Sequence, residues 1–321
     1  MSVISKLLIK IMVVAVACGV WTAQVQAGKI EDDIGVAQTD GLTFRWINNA
    51  GFEIRLPSGH HILIDPFLDS ALMNPLPVSE LERADYVLIT HSHSDHASDI
   101  GLIQERFPDV RIFVGQLSAE ALVREQNLDV SKVYKVSDRQ IFNFGEVSIQ
   151  AFAGRHTEAN DGNYLVFDEH GTLSSQGWGT LELYQYLITQ ADGSSFMVWA
   201  GTPSIDNAYS LAGLAPDLAV VHISPKQDFS MLGHILAEMN PRVVMPHHYD
   251  LWPAILQRRP AEVDQFPAEV LPVSPENVID RTLPYVVNQL EAGGMVAEFF
   301  QPEPHAWYHF DPSDGSISLA P

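Results

Sequence analysis

The chain has 321 residues, 46% of them hydrophobic, with a single cysteine and 40 acidic residues against 18 basic ones. That length and apolar content suffice for a substantial buried core, while a formal charge of −22 opposes binding to nucleic-acid backbones and anionic membranes. A lone cysteine excludes a disulfide scaffold and a thiolate-rich metal site.

The first 27 residues stand apart. Lys6 and Lys10 precede the apolar run IMVVAVACGVW, and Val25-Gln26-Ala27 puts small residues at both positions that signal peptidase reads. The pattern predicts a signal peptide over residues 1–27, cut before Gly28, and a periplasmic or secreted mature chain. Loss of two lysines and no acid deepens the formal charge from −22 to −24. The apolar run is shorter than the roughly 20 residues a membrane span needs, so the mature chain is expected to have no transmembrane segment. An uncleaved anchor is one alternative. A lipoprotein is another, since Cys18 follows Ala15, Val16 and Ala17.

Past that segment no linker or repeat marks a boundary. We expect one elaborated domain over residues 28–250 and an extension over residues 251–321 packed on it. LTFRWINNAGFEIRL reads as a hairpin turning at Asn48 to Gly51, and HILIDPFL as a strand stopped at Asp65-Pro66. ADYVLIT reads as a buried strand, DIGLIQERF and LSAEALVREQ as helices, and RIFVG as a strand between them. Further strands follow at VSIQAFAG, LYQYLIT, SFMVWAG, DLAVVHIS and RVVMPHH. Residues 157–183 read as a long loop over the site. The end of the chain offers a helix through Leu283, Val286, Val287 and Leu290, then the aromatic AWYHF. Strands alternating with helices indicate an α/β domain.

Several strands run into polar residues at their C-terminal ends: His91 after ADYVLIT, His156, Asp206, His222 and His248. Sites collect at such ends because a rigid sheet positions polar loops. The densest case is THSHSDH, residues 90–96. His91 and His93 alternate and can face one cation, while Asp95 and His96 lie past a turn and can reach another. Imidazole and carboxylate without thiolate suit zinc and permit iron or manganese. An open position on such a zinc holds water with a pKa near 7, a source of hydroxide at neutral pH.

THSHSDH after a buried strand resembles the metal-binding motif of the metallo-β-lactamase superfamily. Taken in order, NAGFEI, ILIDPFL, THSHSDH, GRH, WAGT and NPRVVMPHHYD are most similar to its ascorbate-phosphate-lactonase-like metal-dependent hydrolases. The resemblance covers residues 42–250 and implies an αββα sandwich with a metal site at one edge of its paired sheets. It implies His91, His93 and His156 at a first metal and Asp95, His96 and His248 at a second, with His248 preferred over His247, and Asp65 ordering the site from behind.

One departure stands out. The family places Gly-Asp-Thr after the strand matching FMVWAG, and that aspartate bridges the two metals; here the residues are Gly201-Thr202-Pro203. Asp206 is a candidate substitute, and His222 a candidate extra ligand or substrate contact. We therefore expect an exported metallo-hydrolase holding one zinc tightly and a second weakly. Asp95 would bind the second metal or, if that site is vacant, orient the water and shuttle its proton. The expected substrate is a small molecule: an ester or lactone first, a phosphodiester second, a β-lactam third. The alternative is a catalytically weak metal-binding or ligand-binding protein of the same fold. A redox di-iron role is disfavoured, because that branch resembles H-x-E-x-D-H and Ser92-His93-Ser94 lacks the glutamate. His234, His60, His61, His170, His305 and His309 read chiefly as structural or surface histidines.

Overall fold

The computed structural model describes residues 41–156, 167–225 and 227–321, so the expected signal peptide lies outside the described residues. The chain opens with six strands, β1 Leu42–Asn48, β2 Gly51–Arg55, β3 His61–Ile64, β4 Tyr86–Leu88, β5 Arg111–Gly115 and β6 Val133–Val136. They form one sheet in sequence order, parallel from β3 onward. A second sheet follows from β7 Ile141–Asn143, β8 Val147–Gly154, β9 Leu183–Gln190, β10 Ser195–Trp199, β11 Leu218–His222, β12 Val243–His247 and β13 Glu298–Phe299. The chain then returns to the first sheet, where β14 Trp307–Phe310 pairs with β1 and β15 Ile317–Leu319 with β14.

Side-chain alternation explains the long apolar runs. Ile62, Ile64, Tyr86, Leu88 and Phe113 point into one cluster, and their neighbours Leu63, Val87, Ile112 and Val114 into another. The first cluster lies between the sheets, where Phe196 meets Phe44 and Phe52 at ring-centroid distances of 5.9 and 5.8 Å. The second lies under α2 Ile100–Arg106 and α3 Gln116–Gln126, which follow the short α1 Ser94–Ala97. After α4 Ser175–Leu181 and α5 Ile205–Leu211, helix α6 Phe229–Met239 connects the parallel β11 and β12. Helix α7 Trp252–Arg258 leads to α8 Val278–Ala292, whose Val286 and Leu290 join Leu232, Ile235 and Leu236 of α6 in the core. The result is the αββα sandwich.

Residues past 250 extend both sheets at their edges. Phe310 is fully buried, Tyr308 stacks on Phe44 at 5.8 Å, and the His305 amide donates to the Trp46 carbonyl at 2.8 Å. Among the described residues no helix is long and apolar enough to cross a membrane.

Candidate metal centre

Strand ends from both sheets deliver the polar residues. Asp65 directly follows β3, His91 lies three residues past β4, and His93 is the N-cap of α1, which carries Asp95 and His96. From the second sheet come His156 after β8, His222 at the end of β11 and His248 just after β12. One potential ligand atom from each of His91, His93 and His156 lies within 4.8 Å of the others, and Asp95, His96 and His248 meet the same condition.

Hydrogen bonds behind the rings settle which nitrogen faces inward. The Thr90 hydroxyl donates to Asp65 Oδ2 at 2.6 Å, so it accepts from His91 Nδ1 at 3.1 Å. That leaves a lone pair on His91 Nε2, an atom that is buried and has no partner. His93 is turned the other way, its Nε2 donating to the Gln176 carbonyl at 3.0 Å and presenting Nδ1. His96 Nδ1 donates to Asp65 Oδ2 at 2.8 Å and presents Nε2. A ring nitrogen oriented by a carboxylate or carbonyl on its far side is the usual support for a metal-binding histidine. Asp95 Oδ2 sits 3.1 Å from His248 Nε2 and 3.6 Å from His96 Nε2, a gathering that suits a shared cation.

His248 and not its neighbour reaches the cluster. The strand directs His247 inward, where Nε2 donates to the Trp199 carbonyl at 2.8 Å and the ring meets Phe52 edge-on. His248 then adopts φ 72, a left-handed conformation that a non-glycine residue holds only when its surroundings enforce it. Its amide donates to the Asn49 carbonyl at 2.9 Å. Asn49, in the turn between β1 and β2, also donates through Nδ2 to the Asp95 carbonyl at 2.8 Å. Sequence reasoning placed Asn49 in a turn and in the NAGFEI stretch of the family resemblance, and gave it no role as a support for two ligands.

Two expectations need correction. Asp206 does not substitute for the missing bridge: it lies exposed in the first turn of α5, which Ser204 caps, and belongs to neither group. The helix buries the adjacent Asn207 instead, leaving Asp206 on the solvent side. The stretch 157–183 is not all loop, because α4 falls within it and packs on the site. A Cβ added at Gly179 would lie 2.5 Å from His93 Cδ2 and 2.8 Å from its backbone nitrogen. Gly179→Ala should therefore displace His93 and weaken metal retention about 10-fold with little change in fold content, as read by metal titration and circular dichroism.

The remaining histidines stand apart from both groups. His234 is exposed on α6 and His170 on a turn. His60 bonds Glu146, His61 bonds Glu53, His305 bonds the Asn74 carbonyl and His309 bonds Thr43. His222 adjoins the centre, its ring 4.5 Å from that of His248, but it is in neither group.

The family described as the beta-lactamase superfamily domain matches residues 60–254, a span holding every residue of both groups. The chain belongs to the beta-lactamase superfamily. Its relatives include a UPF0173 metal-dependent hydrolase of Koribacter versatilis, 21% identical over 229 residues that cover 70% of this chain and 91% of that protein. Another, YtkL of Bacillus subtilis, is 26% identical over 66% of this chain and 87% of its own. Among solved structures, Igni18, a metallo hydrolase from Ignicoccus hospitalis, shares the fold at TM-score 0.55 and 15% identity, covering 87% of this chain and 98% of that one. The metallo-beta-lactamase fold protein YhfI from Bacillus subtilis does so at TM-score 0.54 and 13% identity, over 88% and 100%.

In this beta-lactamase superfamily centre burial favours the neutral form of His91, His93 and His222, and of His247 beside them. Burial, then the neighbouring His96 and His93, hold His91 well below the usual imidazole range. Burial pushes His93 down to about 4 against the pull of Asp95, and pushes His247 down to about 3. Burial would raise the Asp95 carboxyl, but His96 and His248 hold it well below the usual range. His96 is raised: burial lowers it, and Asp95 and Asp65 together more than offset that.

A histidine whose folded pKa lies below its unfolded value binds fewer protons folded than unfolded between the two. Stability then falls as pH drops through that window, by about 1.4 kcal/mol per unit for each such group. Four groups, His91, His93, His222 and His247, act this way below about pH 6.5, whereas His96 acts oppositely above that value. Urea midpoints of the metal-free protein should decline steadily from about pH 6.5 to pH 5. A flat or rising profile would contradict this assignment.

Proposed function

We propose that this metal-dependent hydrolase is exported, holds zinc at His91, His93 and His156, and cleaves an ester or lactone in a small molecule. The observation carrying the metal assignment is His91 Nε2, a buried lone pair without a partner, beside His93 and His156. An unsatisfied buried polar atom costs about 1–3 kcal/mol, and a cation there removes that cost. The all-nitrogen first group and the N/O second group fit zinc, with iron or manganese as chemically permitted substitutes.

When bound, such a cation supplies Lewis acidity, activating water and polarising the substrate oxygen. The chain does the rest. Asp65 and Gln176 hold His96 and His93 in the tautomers that direct lone pairs inward. Asp95, kept ionised and placed by Asn49, is the group that, where the second site is vacant, orients the attacking water, takes its proton and delivers it to the leaving oxygen. Asp95, His96 and His248 form the weaker second site. Thr202 brings no negative charge where the family has its bridging aspartate, and Asp206 faces away.

Ester or lactone stands ahead of phosphodiester because a phosphodiester carries a negative charge that the strongly acidic chain opposes, whereas a neutral ester or lactone carries none. The decisive assay sets zinc-loaded protein against lactones, aryl esters and phosphodiesters, with His93→Ala as control. Turnover of esters or lactones that vanishes in the control is expected; turnover confined to phosphodiesters would reverse the substrate order. Export rests on Lys6, Lys10, the short apolar run and the small residues before Gly28. Intact mass from producing cells should match a chain starting at Gly28, whereas a lipid on Cys18 or a retained Met1 would overturn it.

A further inference from the structure

His222 ends β11 beside the metal groups, with only 8% of its surface exposed. Its Nδ1 lies 2.9 Å from Gln227 Nε2. That contact fixes the state of the ring, because the Gln227 amide cannot turn over. The Ser224 amide donates to Gln227 Oε1 at 3.0 Å, and Gln227 Nε2 donates to the Gly201 carbonyl at 2.9 Å. Turning the amide over would set oxygen against oxygen and N–H against N–H.

An amide nitrogen has two hydrogens and accepts nothing. One hydrogen goes to Gly201, so the other goes to His222 Nδ1, which must present a lone pair. A neutral ring that accepts at Nδ1 carries its hydrogen on Nε2. The free edge of His222 is therefore a donor, and a donor nitrogen cannot ligate a metal. Among the described residues nothing accepts from it.

We infer that His222 is a fixed Nε2–H donor that holds an oxygen of the substrate, and is not a metal ligand. The inference deepens the hydrolase reading and rests on it only for what the donor meets. The ring packs edge-on against His248, so an oxygen bound at Nε2 lies next to the second metal group. Esters, lactones and their carboxylate products all offer such an oxygen. A ligand presenting an N–H at the same point sets donor against donor and is rejected.

The test uses the full protein with nitrogen-15 in its histidine rings. In the metal-free and zinc-loaded forms His222 should show hydrogen on Nε2 and no zinc-induced shift, while His91 and His93 shift. Acetate added to the zinc form should move the His222 Nε2–H signal. His222→Leu should keep the wild-type zinc content and lose about 10- to 100-fold in kcat/KM for 4-nitrophenyl acetate, with His222→Gln recovering part of it. Thermal melts of both variants report whether they fold. A hydrogen on Nδ1, a zinc shift at His222, zinc loss in His222→Leu, or an Nε2–H signal unmoved by acetate would each overturn the inference. Absence of any 4-nitrophenyl acetate turnover in the wild type counts against the ester reading, while the ring signals still decide the role of His222.

Discussion

His91→Ala should fold, retain no tightly bound metal, and hydrolyse substrate at least about 10³-fold more slowly than the wild type, a loss of roughly 4 kcal/mol in transition-state stabilisation. His91 is the ring on which the centre closes, with centroids 4.7 Å from His93, 4.8 Å from His156 and 3.9 Å from His96. Two histidines remain without it, and a zinc site that keeps an open position needs three protein ligands. Folding should survive because the deleted Nε2 has no partner in the metal-free chain, so nothing favourable is lost there. The effect appears on adding zinc. At 1,000 times its dissociation constant a ligand stabilises the native state by about 4 kcal/mol, so zinc should raise the wild-type melting temperature and leave the variant's unchanged. An equal rise in both would remove His91 from the site.

Asp65→Asn should destabilise the protein by about 2–4 kcal/mol and weaken the second metal site by about 10- to 100-fold. The carboxylate is fully buried and accepts from the Thr90 amide at 2.7 Å, the Thr90 hydroxyl at 2.6 Å and His96 Nδ1 at 2.8 Å. An amide of the same shape has one accepting end and one donating end. With its nitrogen at Oδ1 it opposes the Thr90 N–H; with its nitrogen at Oδ2 it opposes His96 and the hydroxyl. In the second case the His96 ring must accept at Nδ1, which moves its hydrogen to Nε2 and removes the lone pair from the site. Urea unfolding of the metal-free protein reads the first effect, and zinc titration reads the second. Unchanged affinity would mean that His96 does not depend on Asp65 for its tautomer.

Much of this was legible in the sequence because the signals were local. HILI and YVL read as buried strands because both faces of each are covered, one by the opposing sheet and one by helices. THSHSDH carried its own spacing, and the strand ends marked where His156 and His248 would arrive. What the sequence withheld depends on distant partners. The contact of α4 with His93 spans more than 80 residues and rests on a glycine whose meaning is an absent Cβ. Asn49 and Gln227 act through hydrogen bonds to backbone brought near only by folding. Asp206 misled because proximity in sequence to Thr202 says nothing about direction once a capped helix begins between them.

The unequal pair of sites is the central claim. The first group needs no added charge, whereas two dications about 4 Å apart repel by several kcal/mol at an effective dielectric near 20, and only Asp95 among the six grouped residues is acidic. The most direct measurement is elemental analysis of the protein after gel filtration in metal-free buffer, repeated on Thr202→Asp and Asp206→Ala. We expect near one equivalent of zinc in the wild type, the same in Asp206→Ala, and a rise toward two in Thr202→Asp. Two equivalents retained by both the wild type and Asp206→Ala would contradict it.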